Sequence, residues 1–293
     1  MQKIPTFLHI PKNAGTYILH LNHASLCEYF RTHFAGHNFY KKLENQSSRI
    51  SNLCCRRLLV DIPNSTLLTI FCYMPENIYK NTVIHELDPH VSILSYDQLI
   101  AIINNQDVFI FSIMIEPGYY WGSSIYKTNL GESFLAAENI CDLINCHPWY
   151  YTIFRPILDR AQSIYNYLTS DSSSHEPNHK CITSNTFEKY VESHEFETNW
   201  ITSSLTPKEI NEESFESVLA LFDGFKIYDI DHINTCIDET FSTCYNLSTR
   251  QLHNNNYNKN SSVIKTKQMN TQTQQTILSK NYWDYRLYKK FIK

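Results

Sequence analysis

Glycine is scarce in this chain, six in 293 residues, and the glycine-rich phosphate loops are missing. The Walker pattern, GxxxxGK followed by serine or threonine, needs its lysine after the second glycine, whereas Lys12 precedes Gly15. A dinucleotide GxGxxG is also absent, so the chain announces neither an ordinary ATP or GTP site nor a nicotinamide site. No apolar run approaches the ~20 residues of a membrane span; the longest strongly apolar stretch is about 108–115. The first apolar stretch leads straight into a loop, unlike a secretory leader, and the expectation is a soluble, cytoplasmic protein. Strong charge of either sign is lacking: the formal net charge is −4, which implies no general affinity for nucleic acid or membranes and leaves only local basic patches. The nine cysteines form no CxxC, and adjacent Cys54 and Cys55 are poorly arranged as two metal arms, so reduced structural thiols are expected. His175, His179 and Cys181 imitate HxxxHxC without a matching second pair, and no metal is expected. The sequons at Asn45, Asn64, Asn246 and Asn260 read as chance in an asparagine-rich chain. No solenoid repeat and no Cys/His or Ser/His/Asp nucleophile set is visible.

What is present is ordinary globular material, 42% hydrophobic and 18% charged. Apolar, β-prone runs at 7–10, 58–60, 67–73, 108–115, 149–154 and 225–230 alternate with helical patterns. Helices are expected after Ser95 as a cap, over 134–145, 157–168, 207–222 and 232–245, and near Phe187, with one or two more after the polar stretch 254–260. Strands alternating with helices predict one α/β domain over 1–293: a central, mostly parallel sheet flanked by helices on both faces. Ligands in such sheets sit at the carboxyl ends of the strands.

Two stretches carry chemistry. TFLHIPKNAGTYILHL (6–21) reads as a buried strand, a turn and a helix start. A loop leaving a strand and opening a helix aims free N–H groups at one point, and the helix dipole favours an anion there. Lys12 adds a positive charge. The second stretch is WYYTIF followed by RPILDRAQSIYNYL. Arg155 stands at the strand's end, and Ser163 follows eight residues later on a helix whose inner face includes Ala161, Ile164, Tyr165 and Leu168. An arginine fork with a nearby hydroxyl suits phosphate. Asp159 and Arg160 are expected to form local salt bridges, worth ~0.5 kcal/mol if exposed. Two strand-to-helix anion sites suit a ligand with phosphate groups at both ends.

HIPKNAGTY and IFRPILDRAQSIY together resemble the paired signatures of sulfotransferases that use 3′-phosphoadenosine 5′-phosphosulfate (PAPS), most nearly the carbohydrate and heparan-sulfate-type enzymes. Weaker likenesses at 187–205, 221–241 and 281–291 extend the resemblance over most of the chain. It implies a P-loop-like sulfotransferase fold and PAPS as donor. The 5′-phosphosulfate falls to Lys12, Asn13, Ala14, Gly15, Thr16 and Tyr17, and the 3′-phosphate to Arg155 and Ser163. The departures are Asn13 for threonine, Tyr17 for a serine or threonine, Pro156 and Ile157 for aspartate and proline, and Ser203 for an arginine.

By that resemblance Lys12 stabilises charge on the departing phosphate, with help from the N–H groups of 14–17, and no metal is required. The acceptor is a hydroxyl on a small molecule or glycan, expected to be a carbohydrate; a heparan chain would need a dense basic cluster that is not visible. The general base is open. Glu132 in NLGESF holds the nearest position, Glu116 is its rival, and His147 and His9 are outsiders, His9 being expected to point into the sheet. The alternatives are a fold-retaining nucleotide-binding protein without catalysis and a nucleotide-dependent phosphotransferase, which would need a carboxylate for Mg²⁺.

Overall fold

The computed structural model describes residues 2–10, 15–34, 55–62, 67–74, 85–88, 91–104, 108–116, 130–169, 183–206, 209–249 and 269–292. Their organising feature is a sheet whose eight strands lie in the order β4-β5-β2-β3-β6-β1-β7-β8. These are β1 (Gln2–Leu8), β2 (Cys55–Asp61), β3 (Leu67–Tyr73), β4 (His85–Asp88), β5 (Val91–Ser95), β6 (Phe109–Glu116), β7 (Cys146–Phe154) and β8 (Lys226–Asp229). The pairs β2–β5, β6–β1, β1–β7 and β7–β8 are parallel. Only β3 and β4 run against the others. The α/β class with a mostly parallel sheet is therefore the observed one.

The central strands are apolar on both sides because both faces are covered. On one face Phe7, Phe111, Met114, Tyr151 and Ile153 meet α1 (Gly15–Phe34), through Ile18, Leu21 and Leu26, and a later helix through Ile237 and Phe241. On the other face Ile4, Leu8, Ile110, Ile115 and Phe154 pack with residues of α2 (Tyr96–Asn104) and α3 (Leu130–Leu143). Neighbours in sequence, such as Phe7 and Leu8, enter opposite cores, the alternation that a pleated strand imposes. Ser95 caps α2 as expected and does so reciprocally: the Gln98 N–H donates to Ser95 Oγ at 3.3 Å and the Ser95 N–H to Gln98 Oε1 at 2.8 Å.

After β7 come α4 (Ile157–Leu168), α5 (Phe187–Glu192), α6 (Trp200–Leu205) and α7 (Glu212–Phe222). A short 3-10 turn, Ile230–His232, follows β8 and leads to α8 (Ile233–Tyr245), the helix that carries Ile237 and Phe241. The chain closes with α9 (Thr271–Lys280) and α10 (Tyr282–Phe291). A third cluster joins α4, α5 and α9 through Ile157, Ala161, Ile164, Tyr165, Phe187, Tyr190 and Ile277.

Three differences from expectation have local causes. The run at 225–230 stops being strand at Asp229, whose carboxylate accepts the Asp231 N–H at 3.0 Å and starts the 3-10 turn. The helix expected from 207 begins only at Glu212, because Asn211 forms a capping box with Ser214. In a chain with so few glycines, Asn145, Asn199 and Asn246 take the left-handed positions, with φ of 54°, 46° and 52°; asparagine tolerates that region better than other side chains.

The crossovers explain where a ligand site belongs. β1 leads through α1 towards β2 on one face, while β7 leads towards β8 by elements packed on the other face. Opposite directions on opposite faces keep each parallel crossover right-handed. The neighbours β1 and β7 therefore form the topological switch point of the sheet. They are paired from Gln2↔Cys146 to Phe7↔Tyr151, and buried Thr152 Oγ1 donates to the Leu8 carbonyl at 2.9 Å. Thr152→Val, which keeps the shape and removes the donor, is expected to cost ~1 kcal/mol in urea denaturation.

Candidate functional site

The carboxyl ends of β1, β6, β7 and β8 lie side by side at this switch point. The His9 N–H donates to the Ile115 carbonyl at 2.9 Å, tying the residue after β1 to the end of β6. Phe154 is in register with Asp229, so Arg155 leaves β7 beside the turn that follows β8. The two stretches singled out in the sequence thus depart from adjacent parallel strands at one end of the sheet.

Lys12, Asn13 and Ala14 lie outside the described residues. Gly15 and Thr16 open the 20-residue helix α1, where a helix start was expected. Tyr17 follows, half-buried, and its hydroxyl donates to Asn234 Oδ1 on α8 at 2.8 Å. That bond joins the first turns of α1 and α8. Burial, with a smaller contribution from Asp238, raises the Tyr17 pKa.

Arg155 is half-buried between β7 and α4. Burial depresses its pKa; Asp159 and Asp231 oppose that shift and Arg160 adds to it. Among the described residues no carboxylate lies within ion-pair distance of Arg155. The N-cap of α4 is Pro156, which makes no side-chain capping bond, so the cap residue itself offers the first N–H groups of this 12-residue helix no side-chain acceptor. A desolvated guanidinium beside an uncapped helix start is a place where an anion gains twice, from the fork and from the dipole. Ser163 lies on the half-buried flank of α4 at the i+4 position from Asp159, away from the buried face formed by Ile157, Ala161 and Ile164.

The base candidates separate by position. Glu132 is exposed on the first turn of α3. Glu116 ends β6, next to β1. His9 is half-buried and stacks on Phe7, with centroids 6.2 Å apart, on the α1 side of the sheet. His147 is exposed near the start of β7, at the far end of the sheet from Arg155. His175, His179 and Cys181 lie outside the described residues. Among the described residues no group of three or more His, Cys, Asp or Glu could hold a metal ion, and no helix is long and apolar enough to cross a membrane. Cys27, Cys72, Cys141, Cys146, Cys236 and Cys244 are free thiols, and burial pushes Cys72 and Cys141 up to about 12, far from a reactive thiolate.

Three polar residues join this end of the sheet that the sequence reading did not select. Tyr288, from α10, donates its hydroxyl to Asp229 Oδ2 at 2.5 Å. Burial raises the Tyr288 pKa, and the bond to Asp229 and the charges of Asp229, Asp231 and Asp159 push it further in the same direction. Asp229 and Asp231 end the expected strand at 225–230 and were open to selection on that ground. Tyr288, on the last helix, carried no such signal.

The condition of exposure on the expected local salt bridges is not met by Arg160, which is 4% exposed. Its guanidinium lies over the Trp200 ring, 5.0 Å from the centroid, and its charge acts on two desolvated acids, Asp284 and Glu197. Burial raises the pKa of both, and Arg160 opposes the rise in each.

No protein-family model matches the chain, and no curated protein matches it either.

Glu197 generates a pH prediction. A carboxyl whose pKa is raised on folding binds its proton more tightly in the folded state, so its contribution to stability is full below the unfolded value and lost as pH rises through the folded one. The urea midpoint of the parent should therefore contain a component that falls as pH climbs from about 4.3, the ordinary glutamate value. Glu197→Gln should flatten that component, as seen by comparing midpoints of the two proteins across pH 4 to 8.

Proposed function

We propose that this chain is a sulfotransferase that moves a sulfuryl group from PAPS to a hydroxyl acceptor, with carbohydrate as the acceptor class. We also propose that the α/β sheet is of the P-loop-like sulfotransferase type. One observation carries the reading: β1 and β7, the strands that lead into HIPKNAGTY and out through IFRPILDRAQSIY, are adjacent, parallel and in register. A ligand at their carboxyl ends could touch both segments. Arg155, half-buried and without an ion-pair partner among the described residues, and the Pro156 N-cap of α4, which makes no side-chain capping bond, support an anion on the β7 side.

In this reading Arg155, the first N–H groups of α4 and Ser163 hold the 3′-phosphate. Lys12 and the backbone from Ala14 to Tyr17, with the start of α1, hold the 5′-phosphosulfate. The acceptor oxygen attacks sulfur in line as the bond from sulfur to the phosphate oxygen breaks. The acceptor proton passes to a base, Glu132 or Glu116, and 3′-phosphoadenosine 5′-phosphate leaves with its new charge stabilised by Lys12. Asp231 and Asp159 temper the field around Arg155, which suits a single phosphate group better than a longer polyphosphate tail.

A second reading, a nucleotide-binding protein without transfer activity, is favoured by one position. Ser203 stands where the resembled family has an arginine; it is exposed and donates to the Trp200 carbonyl at 3.1 Å, supplying no cation.

Isothermal calorimetry separates these readings from a phosphotransferase. 3′-Phosphoadenosine 5′-phosphate should bind more tightly than ADP or ATP without Mg²⁺, and Arg155→Ala should weaken it more than it weakens ADP. Lys12→Ala should lower turnover with labelled PAPS on the order of 10²–10³-fold. Equal affinity for ADP and the 3′-phosphorylated nucleotide, or tightening by Mg²⁺, overturns the assignment; tight binding without transfer to a glycan panel selects the second reading.

A further inference from the structure

The helix that begins beside Arg155 is anchored in an unusual way. Its apolar residues enter the third cluster, but Arg160 enters the protein as a charge. Among the described residues the buried charged side chains are Arg56, Arg160 and Asp284, and two of these three act on one another. Asp284, 1% exposed on α10, accepts the Ile201 N–H at 2.9 Å, the Thr202 N–H at 2.8 Å and the Thr202 hydroxyl at 2.8 Å. It is the cap of α6, supplied by another helix. The arrangement is reciprocal: Asn199 Oδ1, just before α6, accepts the Trp283 N–H of α10 at 2.8 Å, and Asn281 Oδ1 accepts the Asn199 N–H at 2.9 Å. The starts of α6 and α10 are thereby locked to each other, and Trp200, the first residue of α6, carries the Arg160 guanidinium on its ring.

We infer that Arg160 is a positioning residue for the anion site at the start of α4. Arg160 lies five residues after Arg155, and its N–H donates to the Pro156 carbonyl at 2.9 Å, closing the first turn of the helix. Holding the guanidinium over Trp200, within the field of Asp284, fixes both the rotation and the axial position of that turn relative to β7. The donors offered to an anion, the Arg155 fork and the first N–H groups, are aimed by this contact. The planar fork matters as much as the charge, since stacking and the approach to a carboxylate both use the guanidinium plane. Glu197, whose raised pKa the same positive charge opposes, adds a second acid to one cation, so the pocket favours a single fixed positive charge.

The inference rests on the proposed anion site, and the test keeps the two apart. Arg160→Lys retains the charge and is expected to fold; the parent and Arg155→Ala are its comparators. Affinity for 3′-phosphoadenosine 5′-phosphate, measured on the folded protein by calorimetry, should fall roughly tenfold or more in Arg160→Lys, as expected for donors displaced by a fraction of an ångström. Hydrogen exchange without nucleotide should quicken at the amides of 161–165 and 203–205, while those of β1 and β6 keep their rates. A role in general stability alone would lower the thermal midpoint and leave both the folded protein's affinity and this local pattern unchanged; that result overturns the inference. If the parent does not bind the nucleotide, the proposed function fails, and exchange alone decides the role of Arg160: quickening confined to α4 and α6 supports it, and parent-like rates there overturn it.

Discussion

The parallel pairing of β1 with β7 is the constraint on which the rest of this protein depends. Its register runs unbroken over Gln2–Phe7, and the Thr152 hydroxyl on the Leu8 carbonyl closes its carboxyl end. Parallel neighbours must be joined by crossovers, and right-handed crossovers leaving in opposite directions must use opposite faces. That requirement covers both faces of the sheet, makes the central strands apolar on both sides, and opens a crevice only where the two strands end. Helices α1 and α4 each follow one of these two adjacent, parallel strands. The capacity to attract an anion follows from topology before any side chain is considered.

Side chains decide how strong and how selective that attraction is. Arg155 is half-buried and without an ion-pair partner among the described residues, and such a group is costly unless something fills the gap. The acids near it, Asp159 and Asp231, bias its charge without closing on it. Arg160, five residues on, is buried, with its guanidinium over the Trp200 ring and its charge acting on Asp284 and Glu197. Two arginines close in sequence thus divide the work: one stays available at the sheet end, and the other binds α4 to the reciprocal caps of α6 and α10. Buried ion clusters of this kind contribute little net stability, but they disfavour alternative packings because a misplaced charge inside a protein is expensive.

Much of the frame was legible from residue patterns. Ser95 marked the start of α2, and the bounds of α4 agree at both ends with the periodic stretch 157–168. The apolar runs that became β3, β6 and β7 were long enough to be unambiguous. By contrast β4 and β5 are short, and HELD reads as polar loop; they are strands because β2 offers β5 a free edge. Helix α6 is six residues long, too short to hold by propensity, and exists because Asp284 caps it from 82 residues away. Arg160 was expected in a local salt bridge because the hydrophobic period of α4 says nothing of a cation sought by a distant acid.

By itself the sequence determined the α/β class, the two strand-to-helix segments that carry Lys12 and Arg155, and the types of group each can offer an anion. These follow from local rules, periodicity and turn chemistry, which act over a few residues. Only the tertiary structure decided that β1 and β7 are neighbours, that Tyr17 is bonded to Asn234, that Asp229, Asp231 and Tyr288 share the end of the sheet with Arg155, and that Arg160 faces inward. Each depends on contacts between residues far apart in the chain, whose free energy arises from desolvation and from hydrogen-bond geometry that no short stretch contains.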